Sequence, residues 1–326
     1  MLMQLQQVEG QAAVAELPAR QDTGTPSVLI IILTYNGCAL TVSCLESLEK
    51  VRTPNVSVLV VDNASHDDTR AVLQTRFPEI PVIACETNLG FAVGNNIGLQ
   101  YASAMDFRYA LLLNNDTEVA PDFLEPLVEM MEQEPSYGAV GPLIYYHAQP
   151  DRIWSAGGIV RRNLGKTEMR GLDEVDTGQY NQTATVDFVT GCALLVRVAA
   201  LPAVGLIDPR FGMYYEETEW CARIRRTGYA IAVVPKSRIW HKISPDRQAL
   251  SKRVTYYMTR NRLLYLRLTN APIRAWLHAT FLQDWRTWLS WNLRPRWKDR
   301  REAKQAIPMA WRDFLLGRFG MVTIQQ

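Results

Sequence analysis

Four short polar segments in this sequence each follow an apolar, β-branched run. They are Thr34-Tyr35-Asn36-Gly37, Asp62-Asn63-Ala64-Ser65, Thr87-Asn88-Leu89-Gly90 and Asn114-Asn115-Asp116-Thr117. Repeated hydroxyl, amide and carboxylate groups can bind a polar ligand through many hydrogen bonds. Any one segment could be a turn with a helix cap, since Asn, Asp, Ser and Gly favour both. Four of them together favour a shared polar site.

Asp116 is the one carboxylate that directly follows the fourth apolar run. The first run is followed neither by the G-x-G-x-x-G pattern of dinucleotide-binding folds nor by a P-loop. The phosphates of a bound nucleotide would therefore need another partner. A Mg²⁺ or Mn²⁺ ion held by Asp116 is the simplest one.

The elements that position these residues alternate between strands and helices from Ser27 to about Tyr146. Apolar runs at 28–33, 56–61, 81–84 and 109–113 predict strands, and amphipathic stretches at 39–50, 67–77, 92–104 and 121–133 predict helices. Strands this apolar, joined by helices, predict an α/β fold whose mostly parallel sheet is covered on both faces. Ligands bind such sheets at the carboxyl ends of the strands, where the polar segments lie.

The charge is unevenly distributed along the 326 residues. Residues 241–326 contain 17 Lys and Arg against 5 Asp and Glu, whereas residues 1–240 contain 18 against 28. The basic part also holds six of the nine Trp residues. With 48% hydrophobic and 21% charged residues, the chain is neither disordered nor fibrous. An acidic front and a basic, Trp-rich back predict two different partners.

The cysteines and the amino terminus predict a cytoplasmic protein. Five widely spaced cysteines fit reduced thiols better than disulfides or a zinc site. Residues 1–26 have no basic start and no continuous apolar run, so we expect a flexible tail and not a signal peptide. Because no run approaches the ~20 apolar residues that span a bilayer, any membrane contact is expected to be peripheral, on the inner face.

Nine motifs between Ser27 and about Pro272 resemble the family 2 glycosyltransferases, within them the rhamnosyltransferase-like bacterial branch. They are LTYN, VVDNASHDDT, NLGFAVGNNIG, LLLNNDTEV, WSAGG, VTGCALLVR, FGMYYEETEWCAR, VPKSRIWH and YYMTRNRLLYLR. The resemblance implies a Rossmann-like GT-A fold over 27–245. Its nucleotide-binding half would span about 27–145 and its acceptor half about 146–245, followed by a helical region over 246–326.

The resemblance assigns donor binding to the strand ends. The implied residues are Thr34, Tyr35, Asn36, Asp62, Asn88, Gly90, Phe91, Asn95, Asn114, Asn115 and Asp116. The first three would line the base pocket, and Asp62 would bind the nucleoside. Asp116 lies in the family's D-x-D position, with His241 as the second ligand of a Mg²⁺ or Mn²⁺ ion. Since Asn114 adds no charge, this metal site should be weak until the donor diphosphate contributes oxygens.

The YYEETEW segment lies where the family has E-D-x-D, and the resemblance places the catalytic base at Glu217. An acceptor hydroxyl that attacks an anomeric carbon must lose its proton, and single displacement inverts that carbon. Glu replaces the commoner Asp, so Glu216 remains an alternative base. A solvated acidic helix start is the structural alternative. At i+4 spacing, Glu219 could simply pair with Arg223.

Acceptor or sugar contacts are implied for five residues: Trp154, Gly157, Glu216, Arg260 and Asn261. An aromatic face such as that of Trp154 packs well on a sugar ring. An arginine in YYMTRNRLLYLR could meet a diphosphate. Residues 154–188 are rich in glycine and arginine, and we expect either a mobile loop that closes over a substrate or a plain surface excursion.

In the tail, Leu277, Phe281, Trp285 and Trp288 recur on one face of a predicted helix. This face could lie on an anionic membrane, or it could dock on the catalytic domain or on a second subunit in a homodimer. Nucleic-acid binding is disfavoured because no motif accompanies the basic residues. The membrane is favoured because many bacterial members of the resembled family act on lipid-linked saccharides.

These observations predict a metal-dependent inverting glycosyltransferase of cell-surface polysaccharide synthesis. It would move a sugar from a nucleoside diphosphate sugar, dTDP-rhamnose or a UDP-sugar, to a hydroxyl of a glycan or lipid-linked saccharide. A sugar-1-phosphate nucleotidyltransferase is an alternative, disfavoured because the Gly-rich basic loop it needs after the first strand is absent. A non-catalytic scaffold that binds nucleotide sugars or glycans is the other alternative.

Overall fold

The computed structural model describes residues 24–243, 251–295, 297 and 303–322. Most of the predicted tail over 1–26 lies outside these residues, as does much of the basic stretch around residue 300. Within the described chain, a ten-stranded sheet forms the centre, and apolar clusters lie on both of its faces.

The first half of the sheet is parallel, as the apolar runs predict. Its strands are β1 (Val28–Thr34), β2 (Val56–Asp62), β3 (Val82–Ala84) and β4 (Tyr109–Asn114). β1 lies between β2 and β4, in a register that brings Thr34 beside Asp62 and Leu33 beside Asn114. The polar segments that follow these strands therefore begin at one edge of the sheet.

Four helices cover this half: α1 (Cys38–Leu48), α2 (Thr69–Arg76), α3 (Gly90–Ala104) and α4 (Leu124–Gln133). Alternate residues of β1 point to opposite faces. Ile31 joins the cluster that contains α3, whereas Ile30 joins the cluster that contains α1 and α4. A Cβ at Gly98 would lie 2.4 Å from the Ile31 side chain, so glycine allows α3 to approach the sheet closely.

The second half adds antiparallel strands. The strands after β4 are β5 (Thr117–Val119), β6 (Tyr137–Tyr146), β7 (Gln149–Ser155), β8 (Gly158–Arg161), β9 (Lys166–Met169), β10 (Ala184–Val186), β11 (Ala193–Arg197) and β12 (Ala230–His241). The sheet order is β10-β12-β6-β11-β4-β1-β2-β3, with β5 on β12 and β7 on β6. β11 runs antiparallel to both β4 and β6. The predicted α/β class is confirmed. The antiparallel strand β11 joins the parallel first half of the sheet to the second half.

Residues 154–188 are folded, which differs from the predicted mobile loop. β8 and β9 form an antiparallel hairpin. The loop after it is tied to β6, because the hydroxyls of Tyr145 and Tyr146 donate to Asp176 and Asp173 at 2.5 and 2.6 Å. The glycines that suggested mobility occupy turns with positive φ: Gly165, Gly171 and Gly178.

The remaining helices follow β11 and β12. They are α5 (Leu201–Val204), α6 (Glu216–Arg226), α7 (Lys252–Leu268), α8 (Ile273–Leu277), a π-helical segment (His278–Trp285), α9 (Arg286–Leu293) and α10 (Ala306–Leu315). α7 is largely buried, and α10 packs against it. Residues 317–322 then return to the loop before α6. None of the described helices is long and apolar enough to cross a bilayer.

Candidate active site

The four polar segments meet at the carboxyl edge of the parallel strands, as predicted. Each segment is hydrogen-bonded to at least one other. The bonds run from Asn36 N–H to Ser65 Oγ (2.9 Å), from Asn63 Nδ2 to Asn88 Oδ1 (3.1 Å) and from Asn115 Nδ2 to Thr34 Oγ1 (3.3 Å). These bonds use many of the polar groups to fix the shape of the edge.

Tyr35 and Asn36 are the exposed residues of the first segment. Thr34 is buried, and Asn115 also donates to a hydroxyl of α1 at 3.0 Å. Asn36 has a φ of 50°, and its Oδ1 accepts the backbone N–H of His66 at 2.7 Å. Tyr35 is therefore free to contact a ligand, while its neighbours hold the loop.

The carboxylate of Asp62 is fully buried at the end of β2. Arg70 of α2 forms an ion pair with one oxygen, and the N–H of Ser65 donates to the other at 3.1 Å. Arg70 also donates to the carbonyl of Cys85 at 3.0 Å. A nucleoside can reach Asp62 only if Arg70 shares or releases it, and the nucleoside contact stays a prediction.

Amide side chains hold the loop before α3. Oδ1 of Asn88 accepts the N–H of Gly90 at 2.9 Å, and Oδ1 of Asn63 accepts the N–H of Leu89 at 2.8 Å. Asn95 lies inside α3, where its Nδ2 donates to a helix carbonyl at 3.0 Å. Asn95 thus supports the helix, and the predicted position of this loop and helix start beneath the nucleotide stays a prediction.

Phe91 connects this loop to the start of α6. A Cβ placed at Gly191 would lie 3.0 Å from the Phe91 ring and 3.7 Å from Cβ of Glu217. The start of α3 and the predicted base therefore meet at Gly191. Sequence analysis did not single out Gly191, because only the folded chain shows what approaches it.

Asp116 and His241 lie side by side, although they are far apart in sequence. Pairing of β12 with β5 brings them together, and Nε2 of His241 lies 3.1 Å from Oδ1 of Asp116. Trp154 packs edge-on against the imidazole, with ring centroids 4.6 Å apart. The backbone N–H of Asn114 donates to the carbonyl of Cys192 at 2.9 Å, which places Cys192 at this pair.

The contact between Asp116 and His241 opposes the effect of burial on both groups. Burial lowers the pKa of His241, but Cys192 and Asp116 beside it raise the pKa overall, to about 10. Burial raises the pKa of Asp116, yet the hydrogen bond with His241 brings that pKa below its usual value. Without a metal ion, the contact therefore favours an ionised Asp116 carboxylate and a protonated imidazole. Nε2 of His241 must release its proton before it can bind a cation.

This pair fits a divalent cation as part of its coordination sphere. A carboxylate oxygen and an imidazole nitrogen are suitable ligands for Mn²⁺, and Asp116 is still 31% exposed to an incoming ligand. In the part of the chain that the structure describes, no three His, Cys, Asp or Glu side chains are grouped as metal ligands. The other ligands would have to be water or substrate oxygens.

Three glutamates begin α6. Glu216 and Glu219 are buried, and Glu217 is half-buried. Burial raises the pKa of Glu217, and burial together with the Glu217 charge raises the pKa of Glu216 well above its usual value. Glu219 forms the expected i, i+4 ion pair with Arg223 at 2.8 Å, so its role is structural. A carboxyl group with a raised pKa is a better proton acceptor near neutral pH.

The backbone immediately before these glutamates is strained. Tyr214 and Tyr215 have φ values of 66° and 71°, a conformation that costs about 1–3 kcal/mol at a non-glycine residue. Asn261 of α7 stabilises this loop. Its Nδ2 donates to the carbonyls of Phe211, Met213 and Tyr214 at 2.7–2.8 Å.

Arg260 and Asn261 lie in the interior, which differs from the predicted contact with a sugar or diphosphate. Neither residue has exposed surface. The Arg260 guanidinium donates to the carbonyls of Phe211 at 2.8 Å and Gly320 at 2.9 Å. These side chains therefore hold the loop before α6 and the carboxyl-terminal segment. The hydrophobic periodicity of α7 could not predict that Arg260 and Asn261 are buried, because the buried face of the helix is polar at these two positions.

The positions of Trp154 and Gly157 also differ from the prediction that they contact a sugar. Trp154 is buried against His241 and offers no free ring face to a sugar. Gly157 has a φ of 81°, and a Cβ there would lie 2.6 Å from the Val233 side chain. The WSAGG motif thus supports His241 and forms a tight buried turn.

The carboxyl-terminal segment 317–322 is a part of the site that sequence analysis missed. The N–H of Val322 donates to the hydroxyl of Tyr257 at 2.8 Å. A Cβ at Gly90 would lie 2.8 Å from the Met321 side chain. Met321 therefore packs against the loop before α3. No local pattern signals such a contact, because it joins distant parts of the chain.

Comparison with known proteins agrees with this geometry. The sequence model of glycosyl transferase family 2 matches residues 29–203. The dTDP-rhamnosyl transferase RfbF of Shigella flexneri is 24% identical over 255 residues, covering 76% of this chain and 82% of the relative. An N-acetylglucosaminyl-diphospho-decaprenol L-rhamnosyltransferase of Mycobacterium tuberculosis is 26% identical over 234 residues, covering 65% and 75%.

Two solved structures have a similar fold. The mannosyltransferase PcManGT from Pyrobaculum calidifontis, in complex with GDP-Man and Mn²⁺, has a TM-score of 0.57 at 16% identity, covering 97% of this chain and 95% of that one. GalNAc-T7 with UDP, GalNAc and Mn²⁺ has a TM-score of 0.58 at 15% identity, covering 92% of this chain and 60% of that one. These likenesses confirm the GT-A fold. With a family match over more than half of its length, the chain belongs to glycosyl transferase family 2 and is a glycosyltransferase.

Proposed function

We propose that this glycosyltransferase is inverting and depends on Mg²⁺ or Mn²⁺. It transfers a sugar from dTDP-rhamnose or a UDP-sugar to a hydroxyl of a glycan or lipid-linked saccharide. The names of the Shigella and Mycobacterium relatives support this choice of donor and acceptor. The reaction would serve cell-surface polysaccharide synthesis in the cytoplasm, at the inner face of the membrane.

One arrangement carries this proposal: Gly191 and Cys192 lie between Glu217 and the Asp116–His241 pair. Gly191 approaches Glu217, and Cys192 adjoins His241. Gly191 and Cys192 thus separate the Glu217 carboxyl group, whose pKa is raised, from the Asp116 and His241 side chains. The latter two can hold a cation once the imidazole has released its proton. Glycosyl transfer from a nucleoside diphosphate sugar needs a base on one side of the anomeric carbon and a cation beside the leaving diphosphate on the other.

Glu217 acts as the general base in this mechanism. Its carboxylate accepts the proton of the acceptor hydroxyl while that oxygen bonds to the anomeric carbon. The bond from this carbon to the diphosphate oxygen breaks, and its electron pair leaves with the nucleoside diphosphate. Attack opposite the leaving group inverts the anomeric configuration. The strained loop before α6 orients Glu217 toward Gly191.

Asp116 and His241 would hold the metal ion through one carboxylate oxygen and one imidazole nitrogen. When bound, the ion stabilises negative charge on the departing diphosphate. Asn114 supplies no second negative charge, so the site should bind metal more tightly when a diphosphate is present. The Mn²⁺ in both structural neighbours is consistent with this role.

The donor pocket would lie along the polar edge of the sheet. The exposed Tyr35 ring and the loop fixed by Thr34 and Asn36 would contact the base. Asp62 would bind the nucleoside after Arg70 moves. The loop from Asn88 to Phe91 would lie beneath the nucleotide, with Asn114, Asn115 and Asp116 at the phosphates.

A donor screen tests this function. The purified full chain is incubated with UDP-, dTDP- and GDP-sugars, with Mn²⁺ or with EDTA, and thermal stabilisation and nucleoside diphosphate release are measured. We expect a dTDP- or UDP-sugar to stabilise the protein. With metal but without an acceptor, this sugar nucleotide should be hydrolysed slowly. NMR of a transfer product should show the anomeric configuration opposite to that of the donor.

Retention of the donor configuration would contradict the single displacement. Equal release with Mn²⁺ and with EDTA would contradict metal dependence. A GDP-sugar as the sole substrate would contradict the choice of donor base.

A further inference from the structure

We propose that the outward face of residues 273–293 binds the surface of an anionic lipid bilayer. The face is formed by α8, the π-helical segment and α9 in succession. Its apolar row recurs at every fourth position: Ile273, Leu277, Phe281, Trp285, Leu289 and Leu293. These six side chains are 41–75% exposed, although each is large and apolar. A contiguous exposed apolar row marks an interaction surface.

The π-helical segment keeps this row on one side. In an α-helix of 3.6 residues per turn, a step of four residues advances the side chain by about 40° beyond a full turn. Over five steps the row would wind around to the protein side. The wider turns of residues 278–285 counter this drift, because a π-helix bonds i to i+5. All six side chains therefore stay exposed.

The opposite side of this helix is already anchored to the protein. Ala275 and Ala279 are fully buried, and Trp291 is nearly so. The buried carboxylate of Asp284 forms an ion pair with Arg262 of α7. One side of the helix is thus packed against the protein, and its apolar row faces outward.

The charges beside the row fit an anionic surface. Arg274, Arg286 and Arg294 each follow a residue of the apolar row directly, and all three are exposed. Asp284, the one carboxylate between residues 273 and 295, is turned inward to Arg262. Apolar side chains flanked by arginines without exposed acids are typical of helices that lie in the headgroup region of anionic membranes.

The same charges argue against a second copy of this chain as the occupant. In a two-fold interface the same patch faces itself. The arginines of both copies would then meet across the apolar row, and this stretch offers no exposed carboxylate to pair with them. A bilayer containing anionic lipids removes that repulsion.

The surface continues beyond this helix. Leu315 and Leu316 are strongly exposed and follow Phe314, whose ring lies 5.9 Å from that of Trp276. A groove of about 690 Å³, lined by residues including Phe281 and Trp285, runs along the same helix. Both features add apolar area at the proposed membrane surface.

The position of this surface also bears on the acceptor, a point that rests on the proposed function. Nε2 of Gln283 donates to the carbonyl of Leu164 in the β8–β9 hairpin at 3.0 Å. The hydroxyl of Thr167 in this hairpin donates to that of Tyr215, directly before the glutamates of α6, at 3.4 Å. A membrane on the helix would thus lie on the acceptor side of the protein, where a lipid-linked saccharide could reach Glu217.

Vesicle flotation tests the proposal with the full chain. The vesicles contain either phosphatidylcholine alone or phosphatidylcholine with 30% phosphatidylglycerol. We expect the wild type to float with the anionic vesicles only. The triple variant Leu277→Glu/Phe281→Glu/Trp285→Glu should stay at the bottom, and each of Arg274→Gln and Arg286→Gln should lower partitioning about fivefold.

The matched control is Leu172→Glu/Val175→Glu, which changes exposed apolar residues away from this helix. The control should float like the wild type, and thermal melting should show that every variant is folded. Wild-type protein that stays at the bottom, or a triple variant that floats normally, would overturn the proposal. Loss of a dimer in the triple variant with unchanged flotation would assign the face to a second copy instead.

Donor hydrolysis separates this proposal from the proposed function. The triple variant should release nucleoside diphosphate from the donor at the wild-type rate. The helix lies away from the donor edge, by which we mean the polar segments at the carboxyl ends of β1–β4. If the protein floats with anionic vesicles but hydrolyses no donor, the membrane proposal is supported and the proposed function is contradicted.

Discussion

The donor edge of the sheet and the loop before α6 are held in place by different means. At the donor edge, bonds such as Asn36 to Ser65 and Asn63 to Asn88 join neighbouring strand ends. The loop before α6 depends on Asn261 of α7, which follows in the sequence only after a further strand. The donor edge is therefore held by contacts between neighbouring strand ends, whereas the loop is held by a helix from the carboxyl-terminal part of the chain.

The two regions also differ in backbone strain. The donor edge has isolated positive φ values, at Asn36, a residue type that adopts them readily, and at the small residue Ala64. The loop forces Tyr214 and Tyr215 into that region, where aromatic residues are uncommon. Changes at the loop should therefore act on the chemical step, and changes at the donor edge on donor and metal binding.

Among residues that only position the site, the largest expected effect comes from removing the amide that holds the loop. Asn261→Ala removes the side-chain donor from the carbonyls of Met213 and Tyr214. We expect kcat to fall roughly 100-fold because Glu217 loses its orientation. Donor affinity should change less than threefold, as measured by thermal stabilisation with the donor. Asn181→Ala, in an exposed loop, is the control. Equal losses of kcat and donor affinity would mean that the two regions are not separable.

At the donor edge, Asp116→Asn should weaken metal binding instead. The variant removes the negative charge of the predicted metal pair, so the Mn²⁺ concentration for half-maximal stabilisation by nucleoside diphosphate should rise roughly tenfold. Thermal melting over a Mn²⁺ series measures this. Asp122→Asn, an exposed carboxylate near α4, should leave the midpoint unchanged. An unaltered midpoint in Asp116→Asn would remove this residue from the metal site.

The pH dependence of the transfer rate measures the pKa of the catalytic base that follows the loop. Burial raises the pKa of Glu217, and the base works only in its deprotonated form. The rate should thus fall about tenfold per pH unit below that raised pKa, and this acid limb should lie above the ~4.3 of an ordinary glutamate. Transfer rates from pH 5 to 8 measure it. A rate that stays constant down to pH 5 would contradict the raised pKa.

The smallest effect is a gain in stability from Glu216→Gln. Because the folded-state pKa of Glu216 is raised, the folded protein keeps a proton that the unfolded chain releases, and stability falls as pH rises above the unfolded pKa. The neutral Gln avoids this loss, so the variant should be about 1–2 kcal/mol more stable at pH 8. Thermal melts from pH 4.5 to 8 should show the difference vanish at the acid end. A pH-independent difference would contradict the assignment.

The same contrast explains what the sequence could predict. The strands and helices up to α4 and the meeting of the polar segments follow from local hydrophobic patterns. The resemblance correctly placed His241 near Asp116. The interior positions of Arg260 and Gly157 could not be predicted, because their burial depends on which distant carbonyl or side chain packs against them.

The β8–β9 hairpin and the Met321 contact were missed for a related reason. Glycine and arginine are common both in mobile loops and in hairpins, so composition alone does not distinguish the two. The contact of Met321 with Gly90 joins the end of the described chain to α3, and no periodic pattern encodes such a pairing.

Glu217→Gln gives the most direct test of the reaction centre, with transfer and donor binding measured on the same protein sample. The amide keeps the shape of the carboxylate but cannot accept the acceptor proton, so transfer should fall about 10²- to 10⁴-fold while donor stabilisation persists. The matched control is Glu125→Gln, an exposed glutamate in the first turn of α4, which should transfer at the wild-type rate. Transfer by Glu217→Gln within a few-fold of wild type would show that Glu217 is not the base.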